Sequence, residues 1–315
     1  CEEEPEELPG PCIRVEDSLA ALRQIAAFYR EQMPIPIVGI TGSVGKTSTK
    51  EFVASVLAQK YKTHKTQGNF NNEIGVPLTL LAMPEDTEAA VVEMGINHFG
   101  EMHRLSEMVK PDICVMTNIG QCHLEFLGSR DGILKAKCEM FDYAADDVKA
   151  FVNGDDDKLI TLKDIARTFG MDPSCDVWAD SVEKLGFDGV RCRIHTDAKN
   201  SFEAVIPLPG THMVYNAMAG TCIGLALGLS IDEIRAGIES LKPLPGRSNI
   251  LHTLTNQRLS QQSSCSSTIT CNIVCFSRNF FYQLCTHIFK RALKFNFLCN
   301  RNTVVCNERR TKFFI

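Results

Sequence analysis

Residues 38–49 read Val38-Gly39-Ile40-Thr41-Gly42-Ser43-Val44-Gly45-Lys46-Thr47-Ser48-Thr49, an apolar strand that runs into a glycine-rich turn and opens a helix. Such a turn aims backbone N–H groups at phosphate oxygens, and the following helix adds its positive N-terminal dipole. Lys46 can reach the outer phosphates and Thr47 can ligate Mg2+, which makes Thr41 to Ser48 a candidate ATP site. The strict pattern carries glycine at position 40, where this chain has Ile40 with Gly39 and Gly42 beside it. The context is nevertheless what the mechanism requires. Ile35 to Ile40 is mostly apolar, and beyond Lys46 the residues Phe52, Val53, Val56 and Leu57 recur at helical spacing.

Upstream, residues 17–33 place Leu19, Leu22, Ile25, Ala26 and Tyr29 on one helical face, and Pro34 and Pro36 end that helix before the strand. Downstream, Ala89 to Glu93 and Ile113 to Thr117 are short apolar runs, each followed by a helical stretch, and Val148 to Val152 reads as another strand. Residues 166–202 mix short strands with turns, and helices follow at 213–229 and 231–241. Strands alternating with helices predict an α/β fold: a P-loop-containing parallel sheet with helices on both faces and its ligands at the carboxyl ends of the strands. The P-loop, Glu93 and Thr117-Asn118 all fall at that edge.

The composition divides the chain. Of its 315 residues, 254–315 hold nine Lys or Arg against one acidic residue, a balance of +8, so residues 1–253 carry −13. An acidic body excludes general nucleic-acid affinity, which needs a basic surface to displace counterions. No apolar run approaches the roughly 18 residues of a membrane span, and the opening Cys1-Glu2-Glu3-Glu4-Pro5 is unlike a cleavable signal. Of fourteen cysteines, six crowd the last 51 residues, and the eight scattered without paired spacing through residues 1–222 read as reduced thiols of a cytoplasmic enzyme. Residues 254–315 contain no Gly, Pro or Asp and so lack the usual turn formers. The expectation there is out-of-frame or otherwise non-homologous sequence; the alternative is a basic Cys-rich module, which no C-x-x-C pair supports as a zinc site.

Several residues can carry chemistry. Glu93 ends its strand where P-loop enzymes place the acidic residue that holds Mg2+, although strand-end glutamates are commonly just solvated. His123 lies past the next strand at the same sheet edge, which favours a metal or phosphate role over an ordinary loop histidine. Lys137 is i+4 from Ile133, i+3 from Leu134 and i−4 from Phe141, on the inward face of its helix. It either snorkels to water or is a buried amine with a depressed pKa, open to chemistry that includes reaction with CO2. Gln67 to Pro77 clusters amides and glycines that suit a polar ligand or simply an Asn-rich loop. His212, Asn216 and Arg247 frame the last helices and are surface residues by default.

Together these segments resemble the Mur ligases of peptidoglycan assembly, from about Ile13 to Leu251. The likeness is carried by Arg14 to Leu22, Gly39 to Lys50, Asn69 to Pro77, Glu93-Met94-Gly95, Thr117 to Glu125, Ala136-Lys137-Cys138-Glu139, Asn153 to Asp156, and Pro209-Gly210-Thr211-His212 with Asn216. It is strongest to the branch that joins D-alanyl-D-alanine to UDP-N-acetylmuramoyl tripeptide. The resemblance implies an ATP-dependent amide ligase, a cytoplasmic monomer acting on small molecules, with no nucleic-acid or membrane partner. The substrate carboxylate attacks the γ-phosphate, and the amine then displaces phosphate from the acyl phosphate. It further implies Lys46, His123 and Lys137 as catalytic residues, Mg2+ on Thr47, Glu93 and His123, and a second Mg2+ served by a carbamylated Lys137. Asn216 and Arg247 would face the nucleotide together with the P-loop residues Thr41, Gly42, Ser43, Val44, Gly45, Lys46, Thr47 and Ser48, and Asn69 and Asn72 would face the UDP-sugar peptide. The chain departs at His212-Met213, where the family has His-Asn. Residues 1–33 are read as the remnant of an N-terminal UDP-substrate domain and linker, 34–251 as the central ATP-binding domain, and 252–315 as an anomalous tail. Lacking a recognisable C-terminal domain, the chain could alternatively be an ATP-binding fragment without turnover.

Overall fold

The apolar run before the glycine turn becomes β1 (Ile37–Thr41), with every residue buried. The computed structural model describes residues 13–242 and the backbone of two short strands, Asn249–His252 and Arg258–Gln261. Upstream, α1 (Ser18–Glu31) starts where the Asp17 carboxylate accepts from Ala20 N at 2.9 Å, and it stops short of Pro34. Its Leu22 and Ala26 are buried in the core.

The glycine turn leads into α2 (Lys46–Leu57), and the chain then alternates through β2 (Thr63–Lys65), α3 (Gly75–Leu81), β3 (Ala89–Glu93), α4 (Glu101–Val109), β4 (Ile113–Met116), α5 (Leu124–Leu127), α6 (Arg130–Cys138) and β5 (Lys149–Asn153). Then come β6 (Arg167–Gly170), β7 (Val177–Lys184), β8 (Val190–His195), β9 (Ser201–Ile206), α7 (Met213–Ala226) and α8 (Ile231–Glu239). Strands β1 to β9 form one sheet in the order β2-β3-β1-β4-β5-β6-β7-β8-β9. The backbone strands β10 (Asn249–His252) and β11 (Arg258–Gln261) pair antiparallel with each other.

Pairing is parallel from β2 through β7, as the alternation of strands and helices implies. One sheet face packs Val38, Ile40, Val91 and Val115 against Phe52, Val53 and Val56 of α2 and the apolar side of α7 and α8. The other packs Ile37, Val92 and Met116 with residues of α1, α3, α4 and α6. Two covered faces account for the continuous apolar runs.

The expected parallel sheet is extended by an antiparallel unit, since β8 pairs antiparallel with both β7 and β9. In β8, Val190, Cys192 and Ile194 are buried while Arg191 and Arg193 are exposed. Helices therefore cover only one face there, which antiparallel sheets tolerate. Among the described residues no helix is long and apolar enough to cross a membrane. Of the segment 252–315, expected to be an anomalous tail, only the backbone of His252 and of β11 belongs to the described residues.

Gly237 sets the approach of α8 to α2. A Cβ there would lie 2.4 Å from Val56 Cα and 2.9 Å from Ser55 O, and both are backbone atoms that cannot swing aside. Gly237→Ala is expected to destabilise the protein by roughly 1–3 kcal/mol through overpacking, read as a lower urea midpoint; an unchanged midpoint would mean that the two helices part without penalty.

Candidate functional site

The P-loop joins the end of β1 to the start of α2. Gly45 is the N-cap of α2 at φ 82°, a left-handed conformation that favours glycine. A Cβ at Gly42 would fall 1.9 Å from Thr117 Oγ1, so this position needs glycine for the close approach of the neighbouring strand end. That strand end clamps the loop. Ser43 N and Val44 N donate to Asn118 Oδ1 at 3.1 and 2.8 Å, and Thr117 Oγ1 donates to Val44 O at 2.6 Å. Asp156, past β5, accepts from Ile119 N at 2.8 Å and holds the clamping segment in turn.

Two amines converge on one oxygen. Lys46 Nζ donates to Gly42 O at 2.8 Å, and Lys137 Nζ, arriving from α6, donates to the same atom at 3.1 Å. Lys137 is 1% exposed, so the inward reading of its helix face holds. Among the described residues no carboxylate forms an ion pair with it. Burial, and secondarily the Lys46 cation, lowers its pKa to about 8.

Beside the lysines, Thr47 Oγ1 donates to Glu93 Oε1 at 3.1 Å, and Asn71 Nδ2 donates to the same oxygen at 2.8 Å. Glu93 is 1% exposed, and its Oε2 is buried without a hydrogen bond, 3.7 Å from Lys50 Nζ. His123 is exposed and sits at φ 54°. Partial burial, followed by Lys137 and Lys46, lowers its pKa. Lys46, Thr47, Glu93 and Lys137 are thus gathered at the carboxyl edge of the parallel strands, with His123 flanking them. Among the described residues no three His, Cys, Asp or Glu side chains group closely enough to hold a metal by themselves.

Other expected residues take different places. Asn216 on α7 accepts from Thr49 Oγ1 at 2.8 Å and donates to Met213 Sδ at 3.5 Å, so Met213 buttresses the contact of α7 with the P-loop helix. Asn72 Oδ1 is engaged by Gly75 N at 2.8 Å and Ile74 N at 3.2 Å, which ties it to the start of α3. Asn69 is exposed. Arg247 lies outside the described residues. Sequence reasoning gives Asn71 and Lys50 no individual role, and it places Asn118 at the sheet edge without assigning it one. Lys50 was detectable, since Val53, Ala54 and Leu57 lie three, four and seven positions on and share its buried face.

A cavity of about 600 Å3 opens elsewhere, lined by Lys149, Lys163, Arg167 and Asp176 among others, where β5 and β6 begin. None of the residues gathered at the P-loop reaches it.

The Mur ligase middle domain matches residues 40–224. The UDP-N-acetylmuramoyl-tripeptide–D-alanyl-D-alanine ligase of Bacillus subtilis is 39% identical over 242 residues, 76% of this chain and 52% of that protein. A MurF crystal structure from Acinetobacter baumannii superposes with a TM-score of 0.73 at 34% identity, covering 79% of this chain and 55% of the other. MurF from Thermotoga maritima, solved in complex with ADP, superposes with a TM-score of 0.68 at 28% identity, covering 76% and 56%. The chain therefore spans about half the length of the relatives it matches.

Proposed function

The chain belongs to the Mur ligase family through its middle domain, and from that premise we propose that it supplies the ATP site of a ligase joining D-alanyl-D-alanine to UDP-N-acetylmuramoyl tripeptide. The observation that carries this reading is the pair of amines on Gly42 O beside the Thr47–Glu93 contact. Phosphoryl transfer depends mainly on positioning and charge neutralisation, and this edge offers both. The N–H groups that open α2 face the phosphates, and Lys46 exchanges Gly42 O for their outer oxygens. A carboxylate oxygen of the tripeptide then attacks the γ-phosphorus as ADP leaves. The amine of D-alanyl-D-alanine attacks the resulting acyl phosphate, loses a proton and expels phosphate to leave the amide.

The residues fit the Mg2+ that such chemistry uses. Thr47 and Glu93 present hard oxygen donors side by side, and Glu93 keeps a buried oxygen without a hydrogen bond. Thr47, Glu93 and His123 would hold it, and a carbamylated Lys137 would serve a second ion. When bound, Mg2+ neutralises charge developing on the phosphates. For Lys137 we read a carbamate: the ammonium first gives up a proton, the free amine then adds to CO2 and loses a second proton, and a cation becomes an anion. A buried lysine without a carboxylate, beside a second cation and with a pKa lowered to about 8, is suited to that conversion. Asn216 would face the nucleotide, and Asn69 and Asn72 the UDP-sugar peptide. A reduced, cytoplasmic setting suits the six free cysteines of the described residues.

The test is phosphate release with ATP, UDP-N-acetylmuramoyl tripeptide and D-alanyl-D-alanine. Release that requires both acceptors is the expected result. The alternative, an ATP-binding module without turnover, is motivated by the half-length span and predicts release at background. The absence of an Asn-Lys-x-Asp guanine motif leads us to expect ATP to be bound in preference to GTP.

A further inference from the structure

Lys50 is among the largest fully buried side chains of the protein, 1% exposed, yet it takes no part in the chemistry above. It projects from the second turn of α2, one turn beyond Lys46. Its Nζ lies 3.7 Å from Glu93 Oε2 and 3.3 Å from Glu51 Oε1, and Glu51 is paired with Lys65 of β2. The four side chains make a line of alternating charge, Lys65, Glu51, Lys50, Glu93, whose formal sum is zero. Glu93 Oε2 has no hydrogen bond, so the Lys50 charge is its compensation. The other oxygen, Oε1, is turned to Thr47 and Asn71.

We infer that Lys50 is a built-in counter-cation that weakens the hold of Glu93 on a free divalent ion, so that the metal is taken up together with the negative charge of the nucleotide. A buried carboxylate already neutralised by an ammonium gains little from a second cation, because the ammonium repels the newcomer through the same poorly screened medium. Phosphates delivered to the P-loop add the missing negative charge and reverse that balance. Lys50 is thus a positioning and affinity-setting residue that acts through Glu93. The inference rests on the assignment of Glu93 as a metal ligand.

The probe is Mn2+ alone, titrated into the full chain without nucleotide and followed by its electron paramagnetic resonance signal. Lys50→Met removes the charge while keeping an unbranched apolar stem, and it should tighten Mn2+ binding by about tenfold or more. Mn2+ should also raise the thermal midpoint of this variant more than that of the parent, since the ion then supplies the lost compensation. Lys50→Arg keeps the charge and should keep the weak affinity. In a Glu93→Gln background, Lys50→Met should change nothing. Unchanged or weaker Mn2+ binding in Lys50→Met, or equal tightening in the Glu93→Gln background, overturns the inference. Should Lys50→Met not fold, Lys50→Gln carries the same expectations. If Glu93→Gln alone leaves Mn2+ binding in the presence of ADP unchanged, the metal assignment falls; if it weakens that binding while Lys50→Met has no effect, only the Lys50 inference falls.

Discussion

Lys46→Ala is expected to lower the affinity of the chain for ATP in Mg2+ by at least about a hundredfold. Hydrogen bonds to charged groups contribute about 1.5–3 kcal/mol each, and an ammonium between outer phosphates makes more than one. Folding should be little affected. Lys46 is not the sole partner of Gly42 O, which keeps its bond from Lys137 at 3.1 Å, and the loop is clamped independently by Thr117 and Asn118. Truncation at this position therefore leaves Gly42 O with a donor. Calorimetric titration with ATP, alongside a urea melt of the same sample, separates the two effects. Retained affinity in a folded variant would remove the P-loop from the nucleotide site and with it the ligase reading.

Two residues of similar kind show how far the site could be read from the chain itself. The spacing of Lys137 to Ile133, Leu134 and Phe141 puts it on the inward face of its helix, and the structure buries it to 1%. The same periodicity applies to Lys50, but the phosphate-loop pattern ends at Lys46-Thr47 and says nothing of the next turn. The amides of 69–72 differ in a more basic way. Irregular loops have no period, so whether Asn71 or Asn72 meets Glu93 depends on distant contacts. Asn71 is seated by Gly95, whose N donates to Asn71 O at 2.7 Å and whose missing side chain leaves room for the amide. Asn72 is meanwhile consumed by the start of α3.

Strand order met a comparable limit. Buried runs followed by helices imply parallel neighbours, and β1, β3 and β4 comply. The alternation Val190-Arg191-Cys192-Arg193-Ile194 marks a strand open on one face. Its antiparallel pairing with β7 and β9 is a matter of chain path that the alternation leaves open. Catalytic edges are easier to read than sheet ends because they combine a strand terminus with an unusual residue, as at Glu93.

Lys137→Met is expected to reduce acceptor-dependent phosphate release to background and yet to make the fold more stable near neutral pH in CO2-free buffer. The buried amine of the folded chain titrates at about 8, below its ordinary 10.5. Between those values the unfolded chain holds a proton that the folded one has released, so stability of the unmodified parent rises with pH across that window. Below about pH 8 the whole penalty of burying the charge is present, on the order of 3 kcal/mol at about 1.4 kcal/mol per pKa unit. Methionine removes the charge, and Lys46 continues to serve Gly42 O. Plotted against pH, the stability advantage of the variant over the parent should be greatest below pH 8 and fade toward 10.5. Bicarbonate should close the gap from the other side, because a carbamate places negative charge next to Lys46 instead of a second cation. It should stabilise the parent alone, with a mass increase of one CO2 under native conditions that is lost on acidification. A parent whose mass and melting midpoint ignore bicarbonate, together with a variant that retains turnover, would make Lys137 a structural amine and leave Lys46, Thr47 and Glu93 to act without it.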